Sequence, residues 1–196
     1  ILMSVRRDLM KKNCLTMILI MCSALVIPVI AEQENFILGT YKVSFDLGIE
    51  DLRNWVVDGP KNSESMDGSY FTAYSVHEAP ITESQFYSEL KRLGRAPSAD
   101  AVSISIYQYN STDDLSMNGT ATKVEALLKE KIGCTINKRT IDGRRGTIGS
   151  QIKDDHTTYV ADWWVENNTS AFVVSTYPWD EGTLSLLKTI HIEKIS

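Results

Sequence analysis

The chain has 196 residues, of which 43% are hydrophobic and 23% charged, with a formal net charge of −5 at pH 7. Domains usually run about 100–200 residues, which fits one domain and a short additional segment. That hydrophobic content excludes a mainly disordered chain, and the acidic balance argues against general nucleic-acid binding.

The N-terminal stretch departs from the average. Lys11 and Lys12 follow Met10, Leu15–Ile27 runs without a charge, Pro28 breaks the helix, and Val29-Ile30-Ala31 ends on a small residue. A basic start, an apolar middle and a small-residue end are the three parts of a secretory signal. The expected organisation is residues 1–31 as a signal peptide, or as an N-terminal membrane anchor, and 32–196 as a single exported α+β domain of the cell envelope or exterior. The anchor alternative stands because Leu15–Ala31 is 17 residues, the lower edge of what spans a bilayer. Membrane contact is expected only through this segment. Loss of 1–31 removes Arg6, Arg7, Lys11, Lys12 and Asp8, which leaves 16 basic and 24 acidic residues and a formal charge of −8. Cys14 and Cys22 leave with it, so Cys134 remains alone and no disulfide is expected within the mature chain.

In the mature region, Glu32–Asn35 reads as a polar lead. Gly39–Leu47 alternates and reads as a strand, and Tyr70–His77 is aromatic and β-branched and reads as another. Gly48–Asp67 reads as irregular, with Trp55-Val56-Val57 as a short strand at most. Thr82 and Gln85 predict a capping box, Ile81 and Phe86 a hydrophobic staple, and Phe86, Leu90 and Leu93 one apolar helix face closed by Gly94. Ala101–Tyr109 is a period-two strand with Val102, Ile104 and Ile106 on one face and Ser103, Ser105 and Tyr107 on the other.

Asn110–Gly119 reads as a polar loop, and Lys123–Ile132 as a second helix behind a Thr122/Glu125 box. Thr135–Ile141, Arg145–Lys153, Thr157–Val165 and Ser170–Tyr177 then form a meander. Its first link, Asp142-Gly143, is a strong two-residue hairpin signal. Asp180 is placed to cap a third helix through Leu187, and Ile190–Lys194 returns as a strand. The expected fold is α+β: an antiparallel β-sheet with a C-terminal meander, packed against two to three helices.

This order of elements resembles the PsbP-like fold, known from the extrinsic lumenal subunit of photosystem II and its bacterial relatives. The likeness rests on the Tyr41-Lys42-Val43-Ser44-Phe45-Asp46 strand, the helix 123–132 leading into the meander, and the ending Tyr177-Pro178-Trp179-Asp180 with Leu187-Lys188-Thr189-Ile190. It spans roughly 40–195 and is architectural. The resemblance implies an exported, non-enzymatic binding or assembly module with a protein or small-ligand partner. It transfers no metal-site residue.

Chemistry-bearing motifs are few. Asp154-Asp155-His156 puts two carboxylates and an imidazole in one turn, a set that can hold a divalent cation. This supports an exported metal-dependent hydrolase as the competing reading, with a membrane-anchored structural protein as a third. Gly143–Gly149 lacks the lysine of a phosphate loop and opens no helix, and no Gly-x-Ser-x-Gly is present. No cofactor motif is found. Lys138, Arg139, Arg144 and Arg145 form a basic patch flanking a hairpin, suited to an acidic partner or to guarding a sheet edge. Trp163 and Trp164 alternate across a strand, so both are buried only if both sheet faces are covered. An exposed one would anchor a partner. Four glycosylation sequons begin at Asn110, Asn118, Asn167 and Asn168, all in expected loops.

Overall fold

A computed structural model of the chain describes residues 33–49, 53–64, 70–93, 100–110, 135–153 and 156–195. All described elements belong to one unit, Ala31–Ser196. It is mostly antiparallel β-sheet with two short helices, a mainly-β form of the expected α+β class. The second predicted helix, 123–132, and Cys134 lie outside the described residues, as do Asp154 and Asp155. No helix among the described residues is long and apolar enough to cross a membrane.

Two sheets are present. The smaller has three strands in the order β1 (Glu34–Leu38), β2 (Tyr41–Phe45), β10 (His191–Lys194). The larger has seven strands. They are β3 (Trp55–Glu64), β4 (Tyr70–Glu78), β5 (Val102–Tyr109), β6 (Thr135–Ile141), β7 (Arg144–Lys153), β8 (His156–Glu166) and β9 (Thr169–Ser175). Its order is β3-β4-β5-β9-β8-β7-β6, antiparallel throughout. The meander of β6 to β9 is thus continuous, and β5 joins its far side.

The core lies between the two sheets. Tyr41, Val43 and Phe45 of β2 and Leu38 of β1 meet Ile104, Ile106, Ala171, Val173 and Trp163 of the larger sheet, closed by Leu186, Leu187 and Ile192. One row shows the pattern: Val57–Val76–Ile104–Val173–Ala161–Ile148–Asn137 crosses all seven strands and is apolar until its last edge. Each buried side chain of this size contributes roughly 1.5–3 kcal/mol. Phe36, Phe45 and Trp55 cluster with ring centroids 5.3–5.9 Å apart and tie the small sheet to β3.

Several boundaries differ from expectation. Glu34–Leu38 is a strand rather than part of a polar lead, because it pairs along its whole length with β2 across a Gly39-Thr40 turn. β3 runs through the Asp58-Gly59-Pro60 run read as irregular, since a register shift between Asp58 and Lys61 absorbs those residues. The third helix begins later than expected. Trp179–Thr183 forms a π-type turn in which Gly182 sits at φ 122°, so Asp180 caps nothing and α2 is only Leu184–Thr189. The first helix, α1 (Glu83–Leu93), starts as read: Gln85 Oε1 accepts from the Thr82 N–H at 3.0 Å and Thr82 Oγ1 from the Gln85 N–H at 3.3 Å. Its apolar face is less buried than the pattern implies, with Phe86 at 37% and Leu90 at 38% exposure. Asp142 and Gly143 both hold positive φ, the mirror-image turn that suits a twisted hairpin.

Candidate functional site

The second face of the large sheet, turned away from the small sheet, differs in kind from the core face. The row adjacent to the apolar one reads Asp58–Ser75–Ser105–Phe172–Asp162–Thr147–Lys138 across the same strands. Successive side chains on a strand point to opposite faces, so Ser103, Ser105, Tyr107 and Tyr109 share this face with Phe71, Ser170, Phe172, Val160 and Trp164. Five rings form a band diagonally across it. Phe71 meets Tyr107 at 5.2 Å and Tyr109 at 6.0 Å, Tyr107 meets Phe172 at 6.3 Å, and Tyr109 meets Trp164 at 5.6 Å. The β5 side of the band is half-buried, whereas Val160, Thr147, Ser170 and Trp164 are buried.

Asp162 sits where the band meets the buried part. It is 7% exposed and lies directly opposite Phe172 on β9 and Thr147 on β7. No described residue gives its carboxylate a hydrogen bond or an ion pair. Burial alone pushes the carboxyl up to about 7, because removing a charge from water disfavours the ionised form.

Three other buried polar clusters are partnered, whereas the buried Trp163 Nε1 has no hydrogen-bond partner among the described residues. Glu78, at the end of β4, pairs with Arg53 at 2.8 Å and accepts from the Tyr177 hydroxyl at 3.0 and 3.1 Å. The Arg53 guanidinium also lies 5.2 Å from the Tyr177 ring centroid. Asp142 accepts from the Ile192 N–H at 3.2 Å, bonds His191 Nδ1 at 2.7 Å and pairs with Arg144. Tyr41 bonds Thr169 at 2.9 Å and Glu166, which in turn accepts from Lys194 at 2.8 Å. Burial raises the Tyr41 phenol, and the Lys194 hydrogen bond lowers the Glu166 carboxyl. These clusters join strands and carry no open position.

The residues singled out in the sequence are distributed as follows. The register places Lys138 and Arg145 on the second face but Arg139 and Arg144 on the other, so the four cations do not form one patch. Arg139 lies over the Trp179 ring at 5.2 Å, and Arg144 is held by Asp142. Trp163 and Trp164 are 1% and 7% exposed, so the sheet is covered on both sides at β8 and neither ring is at the surface. Of the predicted cation turn, His156 opens β8 exposed and opposite Lys153. Among the described residues no three His, Cys, Asp or Glu side chains converge to hold a metal. Asn110, Asn167 and Asn168 are exposed beyond strand ends, and Asn118 lies outside the described residues.

Asp162 is a buried acid to which the sequence motifs assigned no role. Its signal was an acid inside the apolar run Val160-Ala161-Asp162-Trp163-Trp164-Val165. Alternation alone assigns such a residue to a solvated face. Comparison with family models, curated proteins and solved structures found no match for this chain.

Proposed function

We propose that the chain is an exported binding module that carries out no chemistry of its own and takes its ligand on the second face of the large sheet. The observation behind this is the make-up of that face. Aromatic rings and hydroxyls lie side by side and half-buried on β4 and β5, and a buried carboxylate, Asp162, adjoins them on β8 without a hydrogen-bond partner among the described residues. Ligand sites combine apolar and aromatic surface with a few placed polar groups in this way. The PsbP-like resemblance points to the same class, binding or assembly without catalysis.

Export enters this reading through the basic, apolar and small-residue order of 11–31. Intact mass of the protein recovered outside the cell, with a start at Glu32, is the expected result. The uncleaved mass would replace the released domain by an anchored one.

The binding face is tested by titrating amphipathic fragments into the labelled protein and mapping amide shifts. Saturable shifts are expected in Ser103–Tyr109 and Ser170–Val174. Saturable shifts confined to β6, α1 or the small sheet, or none from any fragment, would move the function off this face.

A further inference from the structure

We propose that the open edge of β3 joins a second copy of the chain, antiparallel and about a two-fold axis at Val56, so that the large sheets of two copies run on as one. This pairing uses an edge of the sheet and is independent of what its second face binds.

β3 is the last strand of the larger sheet and has β4 on one side only. Hydrogen bonds along an antiparallel ladder alternate, so every second residue turns its N–H and C=O outward. Asn54 accepts from the Ala79 N–H at 2.7 Å, which puts Asn54, Val56 and Asp58 in the inward set, opposite Ala79, His77 and Ser75. Trp55 and Val57 therefore direct their N–H and C=O groups away from β4, and no described residue bonds them. Val56 and Val57 are 38% and 53% exposed, so the edge lies open to solvent.

Other edges are guarded. On β10 the outward Ile192 N–H is taken by Asp142. On β6 stand Lys138 and Arg139, and charges discourage edge pairing. The second half of β3 is guarded as well, because Pro60 has no donor and the register shifts between Asp58 and Lys61. The segment Asn54–Asp58 has none of these devices within it, and its centre is the apolar Trp55-Val56-Val57.

That segment matches a copy of itself. With Val56 facing Val56 of the second copy, Trp55 of each copy faces Val57 of the other, and every outward N–H and C=O of both residues finds a partner. The exposed Val57 side chain comes to lie beside Trp55 on one face. On the other face Asn54 stands opposite Asp58, an amide donor against a carboxylate, and no like charges meet. Moving the axis to Trp55 sets Val57 opposite Arg53, and moving it to Val57 sets Trp55 opposite Gly59, so the apolar match is lost in both. A two-fold contact closes on itself, so pairing stops at two copies. Stable interfaces take roughly 800 Å² from each partner, and so short a segment supplies less. The pair is correspondingly weak, with a Kd on the order of 100 µM.

The experiment is sedimentation equilibrium of the full chain from about 5 µM to about 1 mM, a range that brackets this Kd. The average mass should rise from one copy toward two. Val56→Lys and Val56→Glu each set like charges face to face at the axis, in a non-hydrogen-bonded pair whose Cα atoms lie about 4.5 Å apart. Each variant alone should stay single, and an equimolar mixture of the two should pair again. Val57→Pro removes an outward donor that β4 does not use and should weaken pairing at least about fivefold. Urea midpoints should stay unchanged in all three variants, because both positions are exposed. A chain that stays single at the highest concentration overturns the second copy. So does association that survives both Val56 variants, as it would through the apolar N-terminal stretch, or a mixture that fails to pair. A single chain that nevertheless shows saturable amide shifts at Trp55–Asp58 with acetyl-Arg-Asn-Trp-Val-Val-Asp-amide also overturns it, and gives the edge to a separate peptide strand.

Discussion

Glu78 and Asp162 are carboxylates buried in one sheet, on opposite faces, and they differ in everything but burial. Glu78 reaches into the core and meets Arg53 and the Tyr177 hydroxyl. Asp162 faces the other way and meets a phenylalanine and a threonine backbone partner across the ladder, with no donor among the described residues. The first is a completed structural contact. The second is an incomplete one, in a position where a native fold tolerates the cost only if protonation or a ligand relieves it. Pairing, rather than depth, separates a buried acid that holds the fold from one that is available to function.

The sharpest way to break this contrast is to make Glu78 resemble Asp162. Arg53→Met keeps the length of the side chain and removes the charge, which strands the carboxylate in the core. We expect a loss of about 3–5 kcal/mol at pH 7, read from urea unfolding. The Arg53→Met/Glu78→Gln double variant should recover much of it, because no bare charge is left behind. A single-variant loss below about 1 kcal/mol would mean that Glu78 is not held by this pair.

Next in size is the pH dependence carried by Asp162. Its carboxyl sits at about 7 in the folded protein against about 3.9 in an unfolded chain. Between those values the native state binds more protons than the unfolded state, so this group makes stability fall as pH rises from about 4 to about 7 and leaves it level above. The whole effect is up to roughly 4 kcal/mol by linkage. Asp162→Asn keeps the shape and removes the titration. Urea midpoints from pH 4 to 8 should show the variant matching the unsubstituted protein at the acid end and gaining on it steadily toward neutrality. Parallel profiles would show that Asp162 is already partnered.

The two acids also mark how far the sequence was legible. Local signals were read well. The Asp142-Gly143 hairpin, the alternation of Ala101–Tyr109 and the Thr82/Gln85 box depend on residues close in the chain, and all are present. Long-range pairing was not. β1 looked polar because Glu34 and Asn35 open it, and only its ladder with β2 makes it a strand. β3 looked irregular because a bulge hides its register. The Arg53–Glu78–Tyr177 cluster joins residues up to 124 positions apart, and no local pattern encodes it. The basic residues 138–145 looked like one patch because proximity in sequence says nothing of which face each side chain takes. Asp162 was visible as an acid in an apolar run, but that no described residue partners it depends on strands far from it in sequence.

The smallest expected effect concerns a region that belongs to neither face. α1 begins five residues after Glu78, and its start rests on the reciprocal Thr82–Gln85 bonds, with the Phe86 N–H donating to the Thr82 carbonyl at 2.9 Å. Thr82→Ala removes the side-chain acceptor and should cost the helix about 1 kcal/mol. Because Phe86, Tyr87 and Leu90 remain exposed, little tertiary packing couples this helix to the sheets. Hydrogen exchange at Gln85 and Phe86 should therefore quicken about fivefold, while the urea midpoint and the pH profile set by Asp162 stay unchanged. A lowered global midpoint would show instead that the helix start is coupled to the end of β4, and that the Glu78 cluster depends on more than Arg53 and Tyr177.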